Sequence, residues 1–246
     1  MKRVLSLLCA LVVVAVGEGV QAREACAFDS PPTVLFGQGD PHAKGGRLLQ
    51  VWEVPDRRVW WSKVPPAGYA DFRARVARHV PQHDPRRLLT EASGANNAVV
   101  LAAPRGWIRP ANCLEMLLQQ TQDRRIDTFV APTEFVGFIL RSPEGRRLRV
   151  YFYTVNDDGI GRAAPVTDPV KRDRAAGWTV LAGLHNHNFH PGQPELNGPL
   201  GPSGPDAQFN ANFAEAAGMR EAWITNGIDS VHIPASAFGR FHWDGR

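Results

Sequence analysis

Two histidines one residue apart, His185 and His187, follow an apolar run and are the side chains of this sequence best suited to metal chemistry. In a β-strand the side chains at positions i and i+2 point to the same face, so this spacing places two imidazoles side by side. A catalytic zinc ion takes three protein ligands and keeps a fourth position open. Asp206, after a Pro/Gly-rich loop at residues 188–202, is the nearest suitable third ligand, and His190 is an alternative that ranks lower because it lies beyond the strand.

A hydrolytic zinc site also needs a base to take a proton from water, and Glu134 is the candidate. It opens an otherwise apolar segment, where burying a carboxylate is costly unless it has a partner or a function. Taken alone, Glu134 fits equally well at a strand end with its carboxylate in solvent. Ser203 and Asp206, taken alone, fit a helix N-cap followed by an acidic residue in the first turn.

Taken together, these segments resemble the JAMM motif of the MPN-fold zinc metalloproteases. The resemblance covers about residues 110–233 and rests on three pieces in matching order: Glu134-x-x-Gly137-Phe138-Ile139-Leu140, His185-x-His187 and Ser203-x-x-Asp206. The loop at 188–202 is longer than is usual in that family. Because long surface loops add little entropic cost, the extra residues can bulge outward, and we expect a lid or a substrate-selecting loop.

The resemblance implies a role for each residue of the motif. The Zn²⁺ ligands would be His185, His187 and Asp206, the general base would be Glu134, and Ser203 would help to stabilise the oxyanion. Asn186, between the histidines, would point to the other face and serve the structure. Other zinc motifs are absent from the sequence, which has neither the Cys-x-x-Cys of the zinc deaminases nor a His-Glu-x-x-His helix.

The N-terminus is typical of a secretory signal peptide. Lys2 and Arg3 precede an apolar stretch at residues 4–16, and small residues before position 23 predict cleavage after Ala22. The apolar stretch is too short to span a bilayer, and no later stretch is long enough. We therefore expect a secreted or periplasmic protein without a membrane span.

Charge and cysteine content are consistent with export. The formal net charge of +4 is a mild excess that implies no particular partner, and export argues against nucleic acid. Cys26 and Cys113 remain after cleavage. An oxidising compartment favours a disulfide between them, and two free thiols are the alternative.

Apolar periodicity and turn signals predict the elements that must position the site. Helices are predicted at residues 69–80, 110–123 and 203–217. Strands are predicted as a pair within 46–64, a short strand at 97–103, a hairpin of 133–141 with 146–155, a strand at 178–187 and a hairpin of 221–225 with 228–233.

These predictions describe an α/β protein in which helices flank a mixed β-sheet. By resemblance the sheet is MPN-like, a fold of cytidine-deaminase-like architecture, with an N-terminal α/β extension. The predicted organisation is a signal peptide at 1–22, an extension at 23–109 and a metallohydrolase domain at 110–246.

The function expected from the resemblance is an exported zinc-dependent peptidase or isopeptidase that hydrolyses an amide bond. Its substrate would be a peptide or protein, with cell-wall peptides among the candidates. One alternative is a catalytically silent MPN-like binding module, and another is a zinc hydrolase of a non-peptide amide. The sequence does not determine the substrate or the oligomeric state.

Overall fold

The computed structural model describes residues 24–157, 164–190 and 197–243. The predicted signal peptide, residues 1–22, lies outside the described residues. Within the described ranges the chain is a mixed α/β protein built on one eight-stranded sheet.

The sheet has the strand order β1-β2-β5-β4-β6-β7-β8-β3. Neighbouring strands are antiparallel except β6 and β7, which run parallel. The strands are β1 (Thr33–Gln38), β2 (Arg47–Pro55), β3 (Ile108–Pro110), β4 (Phe135–Arg141), β5 (Arg147–Thr154), β6 (Thr179–Asn186), β7 (Glu221–Thr225) and β8 (Asp229–Pro234). Two parallel neighbouring strands need a crossover connection, which usually contains a helix. Here that connection joins β6 to β7 and contains the helix at Gly204–Ala217.

Helices cover both faces of the sheet. They are α1 (Tyr69–His79), α2 (Pro85–Ala92), α3 (Ala95–Leu101), α4 (Cys113–Asp123), α5 (Ala164–Ala175) and α6 (Gly204–Ala217), with 3-10 helices at Arg58–Trp61 and Ala235–Arg240. Side-chain alternation along β4 separates two apolar cores: Phe138 packs with α5 and α6, and Ile139 packs with α4. The centre of the sheet is therefore buried on both sides, and the site residues lie at one end of it.

The segment predicted as an N-terminal extension contributes strands to this sheet. β1 and β2 extend it beyond β5, and β3 pairs with β8 at the opposite edge. A disulfide joins Cys26 to Cys113, the first residue of α4, and both half-cystines are buried. The predicted pairing is confirmed. No helix among the described residues is long and apolar enough to cross a membrane.

Several predicted elements are confirmed. The β4–β5 and β7–β8 hairpins form where turn signals indicated, and α1 ends just before Pro81. Helix α6 begins after its N-cap Ser203 and ends at Gly218, whose φ of 66° is in the left-handed region that glycine adopts readily. These boundaries depend on local signals, which is why the sequence is sufficient to place them.

Three local predictions are wrong. The second strand of the 46–64 pair is a 3-10 helix, since the indoles of Trp60 and Trp61 donate back to the turn at Pro55 and Asp56 and coil the chain. The strand predicted at 97–103 is helix α3, because a short apolar run fits either structure.

The third wrong prediction is the start of the helix at Pro110. That residue belongs to the edge strand β3, where a missing N–H can be tolerated. Helix α4 begins only after Asn112, whose side chain accepts a hydrogen bond from Glu115 N in a capping box.

Candidate metal centre

The two histidines lie at the end of β6. His185 is paired with Val136 of β4 and Ile224 of β7, and His187 N donates to the Thr225 carbonyl at 2.8 Å just beyond the strand. Strand geometry turns both imidazoles to one face, as predicted, and their Nε2 atoms lie 3.2 Å apart.

Helix α6 presents Asp206 to this pair from its first turn. Ser203 N and Ser203 Oγ both donate to Asp206 Oδ2, at 2.9 and 2.6 Å, and Asp206 N donates to Ser203 Oγ at 3.2 Å. The same Oδ2 lies 3.4 Å from His185 Nε2 and 3.5 Å from His187 Nε2. The structure thus brings together the three predicted ligands, and among the described residues theirs is the group of metal-binding side chains that could hold an ion.

The spacing of these atoms fits a zinc ion. Bonds of about 2.0–2.1 Å to nitrogen and oxygen give a coordination tetrahedron with an edge of about 3.3–3.4 Å. The three observed separations, 3.2, 3.4 and 3.5 Å, bracket that edge. His185 and His187 have side chains only 11% and 15% exposed, whereas Asp206 is 26% exposed, so the cluster faces solvent on the side of α6.

The hydrogen bonds of His187 prepare its Nε2 to be a ligand. Its Nδ1 lies 2.7 Å from the main-chain oxygen of Pro199, and a carbonyl oxygen can only accept. Nδ1 therefore carries the proton, which leaves a lone pair on Nε2 in the neutral ring. A histidine that binds a metal through one ring nitrogen usually donates the N–H of the other to a carbonyl or a carboxylate.

Electrostatics at the cluster favour a cation. Burial by itself lowers the pKa of His187, but the hydrogen bond and charge of Asp206, then the charge of Glu134, outweigh it and raise that pKa to about 9. Burial alone would raise the pKa of Asp206, yet His185 and His187 hold it well below its usual value. Electron-rich atoms converge here, so the cluster has the electrostatics of a site that could hold a cation.

Glu134 is the residue immediately before β4. Its N donates to the Asp157 carbonyl and its carbonyl accepts from Thr154 Oγ1, both at 3.1 Å. Because Val136 pairs with His185 in the antiparallel register, continuing that register two residues further sets Glu134 opposite His187. The effect of its charge on the pKa of His187 is consistent with that position. The catalytic role predicted for Glu134 stays a prediction.

Ser203 makes three hydrogen bonds with Asp206, the third predicted ligand, and is exposed to solvent. Its hydroxyl hydrogen is directed at Asp206 Oδ2, so in this structure the side chain orients the predicted ligand Asp206. The predicted role at the oxyanion stays a prediction. His190 does not join the ligand group.

The long loop is anchored at both flanks. Gly198 N donates to the Asn188 carbonyl at 2.8 Å, Asn226 Nδ2 donates to the Gly198 carbonyl at 3.0 Å, and Asn96 Nδ2 donates to the Pro202 carbonyl at 3.0 Å. Residues 191–196, at the centre of the predicted lid, lie outside the described residues.

A second group of residues lies on the other face of the same strand end. Sequence analysis predicted that Asn186 would face that way and serve the structure, but it did not predict a role for Asn188 or the contacts of either side chain. Asn186 and Asn188 are buried and bond to the main chain beside Glu134. The alternation His-Asn-His-Asn over residues 185–188 was the available signal, since strand periodicity separates the two residue types by face.

Comparisons with protein-family models, with curated proteins and with solved structures found no match for this chain. The case for its function therefore depends on the site itself.

Proposed function

We propose that this protein is an exported zinc-dependent peptidase or isopeptidase with an MPN-like fold and a JAMM-like site. The observation that carries the proposal is the convergence of two imidazole nitrogens and one carboxylate oxygen at separations of 3.2–3.5 Å. Three ligands with a solvent-facing side are the pattern of a catalytic zinc site.

The chain order of the site supports the MPN-like assignment. An acidic residue before β4, a His-x-His pair at the end of β6 and a Ser-x-x-Asp at the start of α6 succeed one another as in the family motif. β4 and β6 are neighbours in the sheet, so Glu134 and the histidines meet at one end of it.

The role proposed for each side chain follows from its chemistry. Zinc in such a site polarises a carbonyl oxygen and lowers the pKa of its bound water to about 7. His185, His187 and Asp206 would hold the ion. Glu134 would accept the proton from the attacking water and return it to the leaving amine. Ser203 could donate to the oxyanion only by redirecting its hydroxyl hydrogen from Asp206.

Two observations support export. The Cys26–Cys113 disulfide fits an oxidising compartment, and the N-terminal sequence has the basic, apolar and small-residue order of a signal peptide. In such a compartment the substrate would be a peptide or a protein, with cell-wall peptides among the candidates.

One observation favours the alternative of a catalytically silent binding module. The edge strand β1 carries no charge and leaves Val34 57% exposed and Leu35 47% exposed. An exposed apolar edge can accept a further strand from a partner. A silent module of this kind need not bind zinc.

Metal content and one isosteric substitution test the proposal. We expect the purified protein to contain one zinc per chain by mass spectrometry and to cleave members of a peptide mixture. Glu134→Gln should keep the zinc and lose at least 100-fold in turnover, within the range for removal of a general base. Glu144→Gln makes the same change in an exposed turn and should behave as wild type. Protein without zinc, or full turnover by Glu134→Gln, would refute the mechanism. Cleavage of non-peptide amides alone would favour a zinc hydrolase of a non-peptide amide over a peptidase.

A further inference from the structure

Residues 185–188 alternate between two tasks. His185 and His187 face the metal site, while Asn186 and Asn188 face the interior and are 0% and 7% exposed. Buried amides must satisfy several hydrogen bonds, so the partners of these two side chains reveal their function.

Asn186 bonds to the main chain on both sides of Glu134. Its Oδ1 accepts from Phe135 N at 2.7 Å, and its Nδ2 donates to the Thr133 carbonyl at 3.2 Å. These partners fix the orientation of the amide, because a main-chain N–H can only donate and a carbonyl can only accept. The side chain therefore bridges the residues immediately before and after Glu134.

This bridge begins where the regular pairing of the described strands β4 and β6 stops. The register between them runs as far as Val136 and His185, and Glu134 lies beyond it. One asparagine side chain takes the place of the next strand-to-strand bonds. Glu134 is thereby tied to the same strand end that carries both histidine ligands.

A buried polar network supports the bridge from behind. Asn188 Nδ2 donates to the same Thr133 carbonyl at 2.5 Å and Asn188 Oδ1 accepts from Asn186 Nδ2 at 2.9 Å. From α4, Gln122 Nε2 donates to Thr133 Oγ1 at 2.5 Å and Gln119 Nε2 reaches Asn188 Oδ1 at 3.4 Å. Asn186 and Asn188 leave no buried side-chain atom without a partner among the described residues, whereas Gln119 Oε1 and Gln122 Oε1 have none. The two asparagine amides are therefore the part of the network whose orientation is fixed.

We infer that Asn186, supported by Asn188, is a positioning residue that holds Glu134 in register with the His185–His187 pair. This inference rests on the proposed function. Asn186 touches neither metal nor substrate and acts through the main chain around the base. Supporting residues of this kind typically change metal affinity or activity by about 10–100-fold.

The test measures the position of Glu134 without a natural substrate. The probe is acetohydroxamic acid, which chelates zinc through its two oxygen atoms. The acidic proton of the bound probe is shared with a neighbouring carboxylate, which here would be that of Glu134. Its dissociation constant is measured calorimetrically on zinc-loaded protein, alongside the zinc stoichiometry. Glu134→Gln should weaken acetohydroxamate binding. Asn186→Ala should keep one zinc per chain and weaken that binding by about 10–100-fold, as the Glu134 variant does.

A matched variant separates positioning from loss of stability. Asn112→Ala also removes a buried asparagine with main-chain bonds, at the start of α4, and should lower the melting temperature while leaving acetohydroxamate affinity unchanged. If Asn186→Ala does not fold, Asn186→Asp carries the same test, because it keeps the acceptor for Phe135 N and loses the donor to Thr133. Either Asn186 variant, folded and binding acetohydroxamate as tightly as wild type, would overturn the inference.

The two proposals fail in different ways. A wild-type protein that takes up no zinc, or whose acetohydroxamate affinity does not depend on Glu134, would overturn the proposed function and this inference with it. Zinc uptake and a Glu134-dependent affinity in the wild type, with unchanged affinity in the Asn186 variant, would overturn the positioning role alone.

Discussion

His187 Nδ1 donates to the main-chain oxygen of Pro199 across 2.7 Å, so the end of the long loop is bonded directly to one of the proposed metal ligands. The neighbouring Gly198 is bonded on both sides, to Asn188 and to Asn226. Residues 197–202 thus help to orient the imidazole.

The first prediction concerns Gly198. It has φ +72°, and a Cβ there would lie 2.8 Å from the Phe189 ring, so Gly198→Ala should displace the Pro199 carbonyl and weaken zinc binding by about 10–100-fold. Gly145 has the same φ of +72° in a turn with no atom within 4 Å of a Cβ, so Gly145→Ala imposes a similar backbone strain without the clash. Zinc affinity, measured by competition with a chromophoric chelator, should separate the two variants. Equal affinities would show that the loop does not orient the ligand.

The second prediction is a pH dependence of zinc binding. Zinc must displace the proton from His187, whose metal-free pKa is raised to about 9 by Asp206 and Glu134 against the opposing effect of burial. Apparent zinc affinity should therefore fall by about tenfold for each pH unit below 9, with one proton released per zinc bound. Chelator competition between pH 7 and 9.5 measures the slope, and an affinity independent of pH in that range would contradict the assignment.

Metal-free protein should show the opposite slope in its stability. Because the folded-state pKa of His187 exceeds its usual 6.5, the stabilisation from this group is complete below pH 6.5 and is lost as the pH rises through about 9. Asp206, with its pKa far below this range, stays ionised and adds no slope. The free energy of unfolding of chelator-treated protein should thus decrease from pH 6.5 to 9, while excess zinc should remove or reverse the decrease.

The third prediction separates two roles of Ser203. Ser203→Ala removes the N-cap of α6 and the hydroxyl bond to Asp206 Oδ2, which should cost about 1 kcal/mol of stability and weaken zinc binding. If the hydroxyl also reaches the oxyanion, turnover at saturating zinc should fall by a further factor of about 10²–10³. Ser203→Thr keeps the hydroxyl and should retain zinc and most turnover. Unchanged turnover of Ser203→Ala at saturating zinc would leave the residue a purely supporting role.

The sequence predicted the parts of the site that depend on local signals. Strand periodicity was sufficient to place His185 and His187 on one face, and a capping pattern was sufficient to place Asp206 in the first turn of a helix. It could not predict the Pro199 carbonyl, because main-chain atoms carry no sequence signal. Nor could it predict that Asn186 bonds to both sides of Glu134, since that contact joins residues about fifty positions apart.

The same distinction between local and long-range signals applies to the fold. The β4–β5 hairpin was predictable from its turn. Strand β1 was not predicted, because all of its residues are exposed and no alternation of buried and exposed side chains marks the segment that pairs with β2. The order of the strands in the sheet depends on long-range pairing. β3 and β8 lie over a hundred residues apart in the sequence and yet are neighbours.

The fourth prediction concerns the Cys26–Cys113 disulfide, which ties the segment before β1 to the start of α4 across a separation of 87 residues. In the chain-entropy model, closing a loop of this length stabilises the protein by about 4.6 kcal/mol. Urea denaturation of a Cys26→Ala, Cys113→Ala double variant should show a loss of that order. Reductant should destabilise the wild type similarly and leave the double variant unchanged. A double variant as stable as the wild type would contradict a structural role for the bond.

The last prediction concerns Glu115, which is fully buried in the first turn of α4. Its Oε2 accepts from Asn112 N at 2.7 Å, and its Oε1 lies 2.9 Å from His232 Nε2. Burial raises the pKa of Glu115 from its usual 4.5 to about 7, against the lowering effect of the Asn112 hydrogen bond. The folded-state value is the higher one, so the contribution of this group to stability is complete below pH 4.5 and is lost as the pH rises through 7.

Replacing Glu115 by glutamine removes that titration. The stability of Glu115→Gln relative to wild type should therefore improve between pH 4.5 and 8, by an amount on the order of 3 kcal/mol. Urea unfolding of both proteins at several pH values, with zinc chelated, measures the difference. Glu144→Gln, the same change at an exposed position, should track the wild type throughout. Parallel curves for Glu115→Gln and wild type would mean that the buried carboxyl group does not change its protonation in this range.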